Sequence, residues 1–227
     1  MENAITDLYS YIHFVFIGII ALFPVINPFG TAFMVSRYFS SLSKEGRINA
    51  VKKVVLYVFI LCLTVLLTGN WILELFGISV PIIQIAGGIM ICKIGWDFLS
   101  GPTEREIVNV SKDHEILNSD TNIESKLFFP ITFPMTAGAG TMAVLFTLSA
   151  NGPKKDISQY LVYSSAILVS VIFICVLVFI CYVNANKLIS YLGSHREKIV
   201  NSIMAFLIFC VGLQIAVEGI TKIVKDF

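Results

Sequence analysis

Charge is what this chain has least of. Asp, Glu, Lys and Arg make up 14% of its 227 residues, against about a quarter in a soluble domain. The net charge of +1 names no partner, and no nucleic-acid partner is expected. Cysteine is scarce and odd in number. Cys62, Cys92, Cys175, Cys181 and Cys210 include no CxxC pair, which argues against a disulfide framework or a metal knuckle. They read as small packing residues. The start, Met1-Glu2-Asn3-Ala4-Ile5-Thr6-Asp7, lacks the basic stretch of a cleaved signal peptide. There is no HExxH, no GxSxG and no carboxylate cluster within an apolar block, so no enzyme activity, metal or cofactor is expected.

Apolar residues fill 56% of the chain, in blocks long enough to cross a bilayer, which takes about 20 residues. Six qualify: 11–35, 54–73, 80–99, 127–150, 157–183 and 199–220. The fold class is therefore all-α, a polytopic membrane protein whose first partner is the lipid bilayer. The connections after blocks one, three and five hold Arg37, Lys44, Arg47, Lys52, Lys53, Arg105, Lys112, Lys126, Lys187, Arg196 and Lys198. The other side holds Lys154, Lys155, Lys222 and Lys225. The basic side is expected to be cytoplasmic, which puts both termini outside.

The longest connection, 101–126, is polar and without apolar period. It divides the chain into residues 1–100, three helices, and 127–227, three more. Asn109-Val110-Ser111 matches a glycosylation sequon, but on the expected cytoplasmic side it is a chance match. Both halves open on Phe-Pro-x-x-x-Pro: Phe23-Pro24-Val25-Ile26-Asn27-Pro28 and Phe129-Pro130-Ile131-Thr132-Phe133-Pro134. Gly30-Thr31 follows one and Gly140-Thr141 the other. A duplicated unit with an odd number of helices enters the membrane in opposite directions. The expectation is a 3+3 inverted-topology repeat, as in secondary transporters.

Each proline removes an amide donor and disfavours helix in the residue before it. Helices one and four are therefore expected to be broken. Broken backbone at membrane depth is tolerated beside protein or a watery cavity; a simple kink is the plainer reading of any single proline. At Asn27-Pro28 a new helix is expected to start, with Asn27 as cap and Pro28 at the first position. The amides of Phe29, Gly30 and Thr31 would then face an anionic group. Gly138, Ala139, Gly140 and Thr141 offer the same in the second half, with the Thr132 hydroxyl beside them. Free carbonyls and Asn27 Oδ1 would suit an ammonium. Together they suit a small zwitterion, although small residues also serve plain helix packing. Gly87 and Gly88 read equally as packing or pocket lining.

Lys93 and Asp97 share a face of helix three and read as snorkelling towards water, each within reach of the other as a partner. Glu74 and Glu218 read as interfacial; Gln84 and Gln214 lie within spans. A coupling H+ or Na+ is not legible in these side chains.

At these motifs the chain resembles the MarC family of integral membrane proteins, which includes SnatA-type neutral amino acid transporters. The resemblance runs along essentially the whole chain. It rests on the 23–31 segment, Ala86-Gly87-Gly88 with Gly95, and 129–134 with Ala137 to Thr141. It implies six helices in a 3+3 inverted repeat, an inner-membrane location and transport of small neutral amino acids such as glycine or alanine. Family members often carry Gly-Pro-Gly where this chain reads Gly138-Ala139-Gly140, and Lys93 is unusual in its place. Two other readings stand beside transport: a passive channel for a small solute or ion, and a non-transport assembly protein. A homo-oligomer is compatible with the sequence.

Overall fold

A computed structural model describes residues 2–36, 38–39, 42–100, 123–152 and 157–225. The sequon and the bulk of the 101–126 connection lie outside the described residues, as do Arg37, Arg105, Lys112, Lys154 and Lys155. Every regular element described is helical. In chain order they are α1 (Glu2–Ile26), α2 (Pro28–Ser36), α3 (Lys44–Leu75), α4 (Val80–Ser100) and α5 (Ile123–Lys126). A wide-turned segment, Leu127–Thr136, follows, then α6 (Ala139–Ala150), α7 (Ile157–Val183) and α8 (Ala185–Lys225).

Five stretches are long and apolar enough to cross a membrane: Leu8–Ser36, Lys44–Leu75, Val80–Asp97, Ile157–Val183 and Ala205–Lys225. Leu127–Thr136 and Ala139–Ala150, bent by 65°, make a sixth when counted as one span. The chain is a multi-pass helical membrane protein.

Three helices outrun their apolar blocks, the first being α1, which begins at Glu2, nine residues before Tyr11. α3 starts ten residues before Val54 because Ser43 Oγ accepts from the Gly46 amide at 3.1 Å, an N-cap on a polar first turn. Its other end closes with Gly77 at φ 64°. There Ile78 N donates to Leu73 O and Gly77 N to Glu74 O, satisfying the last carbonyls. α8 begins at Ala185, so Lys187, Arg196 and Lys198 lie on a helix and not in a loop. The Asn184 amide bonds Ile180 O and its carbonyl accepts from Leu188 N, leaving one residue between α7 and α8 outside a helix. Hydropathy marks only the membrane part of a helix; residues such as Lys, Leu, Arg and Glu carry it on into water.

The core holds Leu22, Ile26, Ile131, Leu145, Ile167 and Ile174, all essentially inaccessible. Cys62, Cys175 and Cys181 pack into it as thiols. The outward faces are apolar too, with Trp71, Leu75, Phe76 and Ile157 exposed, as a lipid-facing surface requires.

The most extensive packing joins α4 to α8. There the helices meet backbone to backbone. A β-carbon at Gly88 would lie 2.5 Å from Gly212 O, and one at Gly95 would lie 2.6 Å from Phe209 N. One at Gly219 would lie 2.6 Å from Pro81 O. Two further crossings use a glycine and a serine. Ser170 Oγ on α7 donates to Val15 O of α1 at 2.8 Å, beside Gly18. Ser149 Oγ on α6 donates to Leu66 O of α3 at 2.8 Å, beside Gly69.

At one end of the bundle, Lys53 of α3 is ion-paired with Glu124 of α5. Lys53 beside it holds the Glu124 carboxyl below the usual carboxylate range, through a hydrogen bond and through charge. Asn186, its amide oriented by the network, accepts from Arg47 Nη2 at 2.9 Å and Nη1 at 3.1 Å. Lys93 and Asp97 are both exposed, and no ion pair joins them among the described residues.

Candidate functional site

The α1–α2 junction is one residue long. Pro24 stays inside α1, and the interruption falls at Asn27, with φ 45°. Asn is among the few side chains that tolerate this left-handed region. As the spacing predicts, Asn27 caps α2 with Pro28 in the first position, Oδ1 accepting from Gly30 N at 3.1 Å. The same bond overturns a companion expectation. The Gly30 amide is occupied by Asn27 Oδ1 and the Thr31 amide by Asn27 O at 3.0 Å. The open side of Gly30 is filled by the Asn27 carboxamide. Thr31 Oγ1 donates to Asn27 O at 2.9 Å. Phe29, half-buried, stands edge-on to Phe23 with ring centres 6.2 Å apart.

The Leu127–Thr136 segment is built differently. Phe129 (φ −119°, ψ 122°) and Phe133 (φ −123°, ψ 126°) are extended, as residues before proline prefer, and both X-Pro bonds are cis. Side-chain protons replace part of the missing ladder. Thr132 Oγ1 donates to Leu127 O and Thr136 Oγ1 to Ile131 O, each at 2.7 Å. Thr132 O accepts from Ala137 N at 2.9 Å. The Thr132 hydroxyl thus mends the backbone of its own segment.

α6 then starts at a junction with no such repair. Gly138 caps it with extended backbone (φ −86°, ψ −170°) and no side-chain bond. The first bond of the new ladder is Met142 N to Gly138 O, so the amides of Ala139, Gly140 and Thr141 precede it. Thr141 is 1% exposed, and its hydroxyl has no partner among the described residues. A β-carbon at Gly140 would lie 2.9 Å from Val25 Cγ1 and 3.2 Å from Ile91 Cγ1. The start of α6 is therefore lodged against α1, two residues from Asn27, and against α4.

One residue at this place carries no sequence motif. Tyr182, from α7, is fully buried, and its hydroxyl lies 2.7 Å from Thr136 Oγ1. Thr136 spends its own proton on Ile131 O, so the phenol is the donor. Thr31 stands beside the same phenol. Tyr182 thus touches both halves where their irregular segments meet. Its only sequence signal was a lone phenol near the end of an apolar run.

Gly87 and Gly88 sit away from this point as helix contacts. Gly87 faces Ala143 of α6, and Gly88 faces Gly212 and Ala216 of α8. Gln84 is wholly buried between α4 and α8, while Gln214 is exposed.

The chain is similar to membrane proteins from bacteria and archaea. It is 24% identical over 213 residues to the UPF0056 inner membrane protein MarC of Salmonella paratyphi A, covering 93% of this chain and 96% of that one. The protein of the same name from Escherichia coli is 26% identical over 216 residues, with the same coverage. A UPF0056 membrane protein of Pyrococcus abyssi is 27% identical over 202 residues, covering 88% of this chain and 91% of that one. No solved structure matches the chain. The model of the MarC family of integral membrane proteins matches residues 12–224, and the chain belongs to that family.

Proposed function

We propose that this protein is a secondary transporter of small neutral amino acids, glycine or alanine in size, in the inner membrane. The observation that carries the reading is the start of α6. Three amides without a cap and the buried, unpartnered Thr141 hydroxyl lie at a 65° bend inside the bundle. Helix N-termini attract carboxylates, and a buried hydroxyl without a partner is costly unless something fills its need. Ala139, Gly140 and Thr141 take the substrate carboxylate. Asn27, Gly30 and Thr31, whose groups are internally bonded, shape the facing wall, and Gly87 and Gly88 set helix spacing. No catalytic role is read into these groups.

A 3+3 inverted repeat with helices one and four broken is part of this proposal. Under the exchange of spans one with four, two with five and three with six, the packing pattern maps onto itself. α1 and α2 against α7 correspond to Leu127–Thr136 and α6 against α3. α4 against α6 corresponds to α8 against α1 and α2, and α4 against α8 corresponds to itself. The two glycine–serine crossings fall on the exchanged pair of contacts. In each, the serine bonds the carbonyl three residues before the glycine. The end of the bundle bearing Arg47, Lys53 and Lys126 is read as cytoplasmic, and the relatives named inner membrane proteins support the location.

Counterflow tests the reading. In proteoliposomes preloaded with unlabelled alanine, labelled alanine is expected to accumulate transiently above equilibrium. A passive channel gives equilibration without overshoot, and an assembly protein gives no flux.

A further inference from the structure

Gln84 is a fully buried side chain with an unanswered need. Its Nε2 donates to Glu218 Oε2 across the α4–α8 seam at 3.5 Å, the outer limit of such a bond, while its Oε1 has no partner among the described residues. A carboxylate can only accept, so it cannot satisfy Gln84 Oε1. A carboxylic acid can. Its O–H would donate to Gln84 Oε1 while its second oxygen accepts from Nε2, closing a two-bond acid–amide pair.

We infer that Glu218 and Gln84 form a proton-binding site, and that the proton taken up there is the ion coupled to substrate movement. The second clause rests on the transport reading; the first stands without it. The reaction is one proton from water added to the Glu218 carboxylate, giving a neutral acid bonded to Gln84 across the α4–α8 seam. Release to water reverses it.

The surroundings suit such a site. Gly219, next to Glu218, meets Pro81 O and the Gln84 side chain with no room for a β-carbon, so the two helices are held in contact at this level. Lys222, one turn further along α8, is the neighbouring charge. Its Nζ donates to Asn151 Oδ1 at the end of α6, at 3.3 Å. α4 carries no charged residue from Val80 to Cys92, and α2 and α7 carry none. α1 contributes Glu2, Asp7 and His13, all on its first half. Glu218 itself is exposed on α8, seven residues before the helix ends. One turn from Gln84, Gly87 packs on Ala143, in the first turns of α6. Protonation therefore acts on α4, one of the helices against which the proposed carboxylate site leans.

Two measurements test this. The first is thermal stability of purified protein against pH. The protonated form holds the extra bond, so a Glu218-dependent step in wild-type stability is expected, present when the acid is protonated and lost as Glu218 gives up its proton. Glu218→Gln, whose amide pairs with Gln84 at any pH, should remove that step, and so should Gln84→Met. A pH profile left unchanged by both substitutions overturns the proton site. The second is alanine uptake into proteoliposomes under an imposed pH gradient, expected to fall about tenfold or more in Glu218→Gln. Gradient-driven uptake that persists in that variant, or wild-type uptake that ignores the gradient, overturns the coupling. Absent wild-type counterflow overturns the transport reading and the coupling with it. The stability profile then decides the proton site alone.

Discussion

The Tyr182 hydroxyl donates to Thr136 Oγ1 at 2.7 Å in a fully buried position, tying the long apolar α7 to the wide-turned segment before α6. Removing the phenol proton leaves Thr136 bonded only to Ile131 O. Tyr182→Phe is expected to cost about 0.5–1.5 kcal/mol. In a double-mutant cycle with Thr136→Val, the two losses should fall short of additivity by about 1 kcal/mol. Thermal unfolding in detergent measures both, and strictly additive losses would show the pair to be uncoupled.

Thr141 makes the opposite prediction for stability. Valine has nearly the same shape and no hydroxyl to leave unsatisfied. Thr141→Val should make the ligand-free protein more stable by about 1 kcal/mol, while the thermal shift given by glycine or alanine disappears. A variant that is stabilised and still shifts with alanine removes Thr141 from the site.

Asn27 does structural work before any work on a ligand. Its carboxamide caps α2 and its backbone sits at φ 45°. Asn27→Ala should lose about 1–2 kcal/mol through the cap and the strained backbone together. Asn27→Gly should lose less, since glycine adopts this φ freely. Circular dichroism melts rank the two, and equal melting of Asn27→Ala and wild type would contradict the capping role.

At Gly88 a methyl group meets backbone atoms of the neighbouring helix and not a flexible side chain. Gly88→Ala should therefore destabilise by about 1–3 kcal/mol through overpacking. Gly77, at φ 64° with open space around it, should lose only about 1 kcal/mol on change to alanine, from backbone strain. Melting temperatures of the two variants separate a steric cause from a conformational one.

Glu124 is held below the ordinary carboxylate range by Lys53. The contribution of the pair is present above the ordinary carboxylate range and lost as pH falls through the lowered value. Lys53→Met should move the Glu124 titration, followed by carbon NMR, back up towards that range. An unmoved titration would mean that the pair does not persist in solution.

The membrane blocks were legible because lipid imposes one requirement on twenty residues at once. The cap at Asn27-Pro28 and the extended Phe129 and Phe133 were legible because proline acts on its immediate neighbour. What side chains do to one another across the bundle was not. Asn27 and Thr132 looked like ligand groups, yet each satisfies its own backbone. Tyr182 looked like one more aromatic in an apolar run, since nothing in a sequence tells which helix it faces. Glu218 was read as interfacial from the end of its apolar block, and nothing in the order of residues tells that Gln84 lies across from it.

The seam between α4 and α8 has one more consequence. Its backbone contacts fall at Pro81, Gly88 and Gly95 on one helix and at Ala205, Gly212 and Gly219 on the other, each spaced by seven residues. Two turns of an α-helix hold about 7.2 residues. A strict seven-residue beat keeps its contacts in line only if the two helices wind around each other with a left-handed pitch. The pair therefore behaves as a short antiparallel coiled coil whose knobs have been pared down to hydrogen atoms. Its register admits no change of length. One residue inserted between Gly88 and Gly95 would swing everything beyond it by about 100° and turn bulky side chains into a groove made for bare backbone.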